Sequence, residues 1–113
     1  MNSKKYISKK GKTNMKINKI QNGDKEVFAL SGRLDTTTAP QLQETLMLEF
    51  DRAKEIKLDF SELAYVSSAG LRVLLMGEKT AKVKGCAMIL VNVSAEIMEV
   101  FEMTGFSDIL HIE

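Results

Sequence analysis

Two adjacent serines, Ser67 and Ser68, lie in the stretch Tyr65-Val66-Ser67-Ser68-Ala69-Gly70-Leu71, where an extended apolar run meets a helical one. A hydroxyl at such a junction can act as a nucleophile, cap the helix or accept a phosphoryl group. The first use needs a base, and the single imidazole of the chain is His111, almost at the C-terminus. A Ser-His-Asp relay would depend on that one residue. A nucleophile elbow also wants Gly-x-Ser-x-Gly, and the residue two before Ser68 is Val66. Hydrolysis is disfavoured. The other two uses stay open. Serine is a common helix cap, and a helix start, with its unpaired amides and positive dipole end, can also support a phosphate on Ser68. Ala69 and Gly70 leave little bulk beside it.

Asp59 is the other candidate for chemistry, at the expected end of the strand Ile56–Phe60. A phosphoaspartate there would need Mg²⁺, hence a cluster of carboxylates, and a cation to hold the phosphoryl group. The first strand ends in Ile20-Gln21-Asn22 without an acidic pair, and no lysine follows the Ala87–Val91 run. Asp59 is expected to close a turn with Ser61 instead. Cys86 is the only cysteine, which excludes an intramolecular disulfide and a cysteine-based zinc site. Neither Gly-x-Gly-x-x-Gly nor Gly-Lys-Ser/Thr occurs, so dinucleotide and phosphate loops are absent. No cofactor is expected.

The elements that must position these residues follow from periodicity. Met15–Ile20 alternates apolar and polar residues, Asn22-Gly23 signals a tight turn, and Glu26–Leu30 reads as the returning strand, ended by Ser31-Gly32. Thr38 and Gln41 match a capping box, with Pro40 in the first turn and Leu42, Leu46 and Phe50 along one face of a helix to about Arg52. A second helix is expected from near Ser68 to Lys84, stopped by Gly85. Its inward face is Leu71, Leu74 and Leu75. Val73 and Met76 lie off that stripe, either as a docking patch or packed beneath a neighbouring element. After the buried strand Ala87–Val91, Ser94 caps a third helix that buries Ile97, Val100 and Phe101 and stops at Gly105. Ile109–Ile112 is a last short strand. The order β-β-α-β-α-β-α-β predicts one α/β domain: a mostly parallel sheet with an antiparallel N-terminal edge strand, and helices mainly on one face.

The net charge of +1 hides an asymmetry. Residues 1–14 carry five lysines and no acid, which leaves 11 basic against 15 acidic residues in 15–113, a net of −4. A disordered basic tail over 1–14 and a folded domain over 15–113 are expected. The acidic domain is a poor partner for nucleic acid. No apolar run reaches the roughly 18 residues of a membrane span, and the lysine-rich start is not followed by the apolar segment of an export signal. A cytoplasmic protein that binds neither membrane nor nucleic acid is the expectation.

Three segments together resemble a known family. Leu58-Asp59-Phe60-Ser61 with Tyr65-Val66-Ser67-Ser68-Ala69-Gly70-Leu71, Ser31-Gly32-Arg33-Leu34-Asp35, and Val100-Phe101-Glu102-Met103-Thr104-Gly105-Phe106 resemble, in order and spacing, the STAS domain of bacterial anti-sigma factor antagonists. The resemblance implies a non-enzymatic protein that binds an anti-sigma factor, itself a serine kinase, and so frees a sigma factor. It implies phosphorylation of Ser68 as the off switch and a PP2C-type serine phosphatase as the reset. Where the family often has Asp before the phosphoacceptor, this chain has Ser67, one negative charge fewer on the docking surface. Asp35 matches the acidic residue of the family's turn near that serine. Partner contacts are expected from Asp35, Ser67, Ser68, Gly70, Arg72, Val73 and Met76. A STAS interaction module without a phosphoswitch, working in a larger signalling assembly, is the alternative.

Overall fold

The computed structural model describes residues 15–113; the basic tail expected over 1–14 lies outside them. Strands β1 (Met15–Asn22) and β2 (Lys25–Leu34) form the expected hairpin, with Gly23 at φ 71° in the turn. Glycine takes that conformation at no steric cost. Helix α1 spans Ala39–Glu49, β3 Glu55–Val66, α2 Ser68–Lys84, β4 Ala87–Val91 and α3 Ala95–Thr104. A 3-10 turn, Phe106–Asp108, leads to β5, His111–Ile112. The sheet order is β1-β2-β3-β4-β5, antiparallel between β1 and β2 and parallel elsewhere.

Neighbouring parallel strands joined by right-handed crossovers place their helices on one face. That face carries the buried residues Phe28 and Leu30 of β2, Ile56, Leu58 and Phe60 of β3, and Met88 and Leu90 of β4. Onto it pack Leu42 and Leu46 of α1, Leu71 and Leu74 of α2, and Ile97 and Phe101 of α3. The rings of Phe60 and Phe101 meet at 6.4 Å between centroids, tilted by 56°. Val100, expected in this core, is only partly buried.

The strands depart from expectation where they depend on one another. β2 does not end at Ser31-Gly32 but runs on to Leu34, and β3 does not end at Phe60 but continues to Val66. The two extensions pair with each other, Arg33 with Tyr65 and Leu34 with Val66, after register shifts around Ser31 and Gly32. Gly32 absorbs the bend at φ 100°. α1 stops at Glu49, short of Arg52, with Phe50 closing its last turn. The last strand shortens because Ile109 and Leu110 donate their amides back to the Phe106 carbonyl.

Candidate docking site at the start of helix α2

Because Leu34 pairs with Val66, the chain leaves β2 and β3 side by side, bringing Asp35 and Ser67 to the same end of the sheet. Ser67 is extended, at φ −90° and ψ 175°, and its amide donates to the Leu34 carbonyl at 2.8 Å. Its hydroxyl accepts from the Gly70 amide at 3.2 Å, so Ser67 is the cap of α2. The capping role open to Ser68 in the sequence thus falls to its neighbour. Ser68 is the first residue of the helix, exposed, and its hydroxyl has no hydrogen-bond partner among the described residues.

Gly70 sets how closely this turn seats on the sheet. A β-carbon there would lie 2.8 Å from Leu34 Cγ and 2.9 Å from the Leu34 carbonyl oxygen. Glycine therefore serves packing beneath Ser68 rather than access around it. Val73, off the apolar stripe in sequence, is buried at 6% exposure. It lies with Ala69, Arg72 and Met76 along a shallow groove of about 310 Å³. The opposite wall is the start of α1, where Ala39, Pro40 and Gln43 contribute.

Asp35 organises the turn from β2 into α1. Its Oδ1 accepts the amides of Thr37 at 3.0 Å and Thr38 at 3.1 Å. Thr38 makes no capping box: its fully buried hydroxyl donates to the Arg33 carbonyl at 2.7 Å and accepts from the Asp35 amide at 2.9 Å. A side chain tied to the strand end cannot also reach the helix amides. Arg33 lies 3.7 Å from Asp35 Oδ2 and stacks over the Tyr65 ring, 4.2 Å from its centroid. Arg33 and Tyr65 were not anticipated as site residues. They are 32 positions apart, and only the strand pairing beyond the expected ends brings them together.

The remaining candidates lie elsewhere. Asp59 accepts from the Ser61 amide and from Asn92 Nδ2, each at 3.0 Å, which makes it the turn-closing residue expected. The Asn92 bond, aided by Ser61 and opposed by burial, holds its carboxyl below the usual range. Among the described residues no three His, Cys, Asp or Glu side chains are grouped to hold a metal ion. His111 sits beside Glu113 at 3.5 Å and pairs with Ile89, which pairs with Lys57, nine residues before Val66. At about 3.3 Å per strand residue that is roughly 30 Å from the start of α2. Burial, and then the charges of Glu26 and Glu55, push the Cys86 thiol up, away from a reactive thiolate. No described helix is long and apolar enough to cross a membrane.

Known proteins resemble this chain in sequence and in fold. Residues 17–111 match the family described as Mlab, STAS domain. The anti-sigma-B factor antagonist of Listeria monocytogenes is 32% identical over 87 residues, covering 74% of this chain and 75% of that protein. The anti-sigma-B factor antagonist of Bacillus subtilis is 27% identical over 99 residues, covering 88% and 91%. In fold, the crystal structure of an anti-sigma factor antagonist from Mycobacterium paratuberculosis superposes with a TM-score of 0.76 at 18% identity, covering 87% of this chain and 84% of that one. With a family match across nearly all the described residues and relatives of the same kind over most of their length, the chain belongs to the STAS-domain family, among the bacterial anti-sigma factor antagonists.

Proposed function

We propose that this protein is an anti-sigma factor antagonist that binds a serine-kinase anti-sigma factor through the start of α2 and is switched off by phosphorylation of Ser68. The single observation that carries the reading is the division of labour between the serines. Ser67 supplies the cap, which leaves the Ser68 hydroxyl exposed and uncommitted, next in the chain to Ala69, which lines the α1–α2 groove. Asp35, Ser67, Arg72, Val73 and Met76 belong to the same docking surface, and Gly70 shapes it from below. On this reading the chain is a cytoplasmic binding protein and not an enzyme. The kinase and a PP2C-type phosphatase supply the catalysis.

A phosphate adds about −1.5 to −2 charges at neutral pH. Beside a docking groove whose contacts form around a neutral hydroxyl, it opposes association by the cost of desolvating the dianion and by repulsion of any carboxylate the partner sets there. The helix dipole tolerates the charge, so the fold survives the modification. Incubation with ATP and the cognate kinase should label the wild type and leave Ser68→Ala unlabelled. Equal labelling of both would sink the assignment. Ser68→Glu should bind the anti-sigma factor more weakly by calorimetry, and unchanged affinity would favour a STAS module without a phosphoswitch.

A further inference from the structure

Arg72 stands one helical turn beyond Ser68 on α2. It is exposed, and it forms no ion pair or side-chain hydrogen bond among the described residues. It is also the only charged side chain lining the α1–α2 groove among those residues. Helical side chains lean toward the N-terminus, so a residue four positions on reaches back over the earlier one. An anion placed four residues before a cation is the favourable order for such a pair. Guanidinium further matches phosphate oxygens in a two-pronged geometry that an ammonium lacks. Arg33, the other cation at this end of the sheet, is already engaged with Tyr65 and Asp35.

We infer that Arg72 is the intramolecular partner of a phosphate on Ser68, so that phosphorylation draws the one cationic side chain out of the docking groove while adding negative charge beside it. The inference deepens the reading of Ser68 as the phosphoacceptor and rests on it. The off state then has two causes, a repulsive group gained and an attractive one withdrawn. Arg72 also becomes a determinant of how strongly the switch acts.

The test uses full-length chain with phosphoserine installed at position 68 during translation, and follows the phosphorus resonance against pH. The second ionisation of the phosphate should lie about 0.2–0.4 pH unit lower with Arg72 than in Arg72→Gln, the scale expected of a charged pair at this spacing. Arg72→Lys should recover part of the difference, through charge without the fork. Identical titrations for wild type and Arg72→Gln would overturn the proposal. The phosphate is placed without any kinase, so this result is separable from the function itself. A kinase that fails to label Ser68 counts against the function and leaves the titration meaningful.

Discussion

The two ends of the sheet handle polar groups in opposite ways. At the end that holds Asp35, Ser67 and Ser68, the Asp35 carboxylate and the Ser67 and Thr38 hydroxyls each pair with backbone, and the Ser68 hydroxyl is left facing solvent. At the other end Glu26 and Glu49 are buried at 2% and 7% exposure, and Lys19 lies 3.6 Å from one and 3.1 Å from the other. One oxygen of each carboxyl has no hydrogen-bond partner among the described residues. The first arrangement fixes a backbone so that one side chain is free to change. The second confines charge in the interior, where a proton settles the imbalance.

That proton gives the buried end a pH dependence. Burial, reinforced by the hydrogen bond to Glu49 and its charge, raises the Glu26 carboxyl. Burial would raise Glu49 too, but Lys19 and the shared bond with Glu26 hold it below the usual range. The folded state therefore keeps the Glu26 proton more tightly than the unfolded chain does. The stability from Glu26 is complete below the ordinary glutamate range and is lost as pH rises through the raised value. Glu49 contributes above that range and loses its contribution as pH falls through its lowered value. The cluster thus favours the fold most in mildly acidic solution.

The contrast can be broken most forcefully at Gly70. Gly70→Ala sets a methyl against Leu34 Cγ and the Leu34 carbonyl, and should cost about 1–3 kcal/mol in urea unfolding. Partner affinity should fall with it, because the first turn of α2 must shift. At the other end, Glu26→Gln should stabilise the protein by about 1 kcal/mol at alkaline pH, where it replaces a buried ionised carboxylate with an amide that can donate to Glu49. It should flatten the fall in stability above the ordinary glutamate range and leave partner binding unchanged. Loss of binding in this variant would show that the two ends are coupled.

A smaller effect separates the serines. Ser67→Ala should cost about 1 kcal/mol through loss of the cap, whereas Ser68→Ala should stay within about 0.5 kcal/mol of wild type. Equal costs in thermal unfolding would contradict the assignment of the cap. Smallest of all is Asn92→Gly, which keeps the left-handed backbone at φ 57° unstrained and removes the bond holding the Asp59 carboxyl low. Asp59 contributes stability above its unfolded value, lost as pH falls through the lowered one. The variant should therefore lose about 0.5 kcal/mol at neutral pH and little in strong acid, as read from unfolding at the two pH values.

Much of the molecule was legible in the chain itself, because the signals are local. Asn22-Gly23 marked the hairpin, the glycines Gly85 and Gly105 marked helix ends at φ 76° and 84°, and the near-continuous apolar run Ala87–Val91 marked an interior strand. The order of strands and helices, with the handedness of crossovers, was enough for one helical face and an antiparallel edge. Thr38 misled because its neighbours fit a capping box, while its hydroxyl is held by the end of β2.

What periodicity could not supply was the outcome of pairing between distant residues. β2 and β3 outlast their apolar alternation because each gives the other hydrogen-bond partners through Leu34 and Val66. That last pair decides where the chain is released into α2, and so which serine is half inside the helix. Cap preference treats two adjacent serines alike. The amide of Ser67 bound to Leu34, and Gly70 packed beneath the turn, make them different.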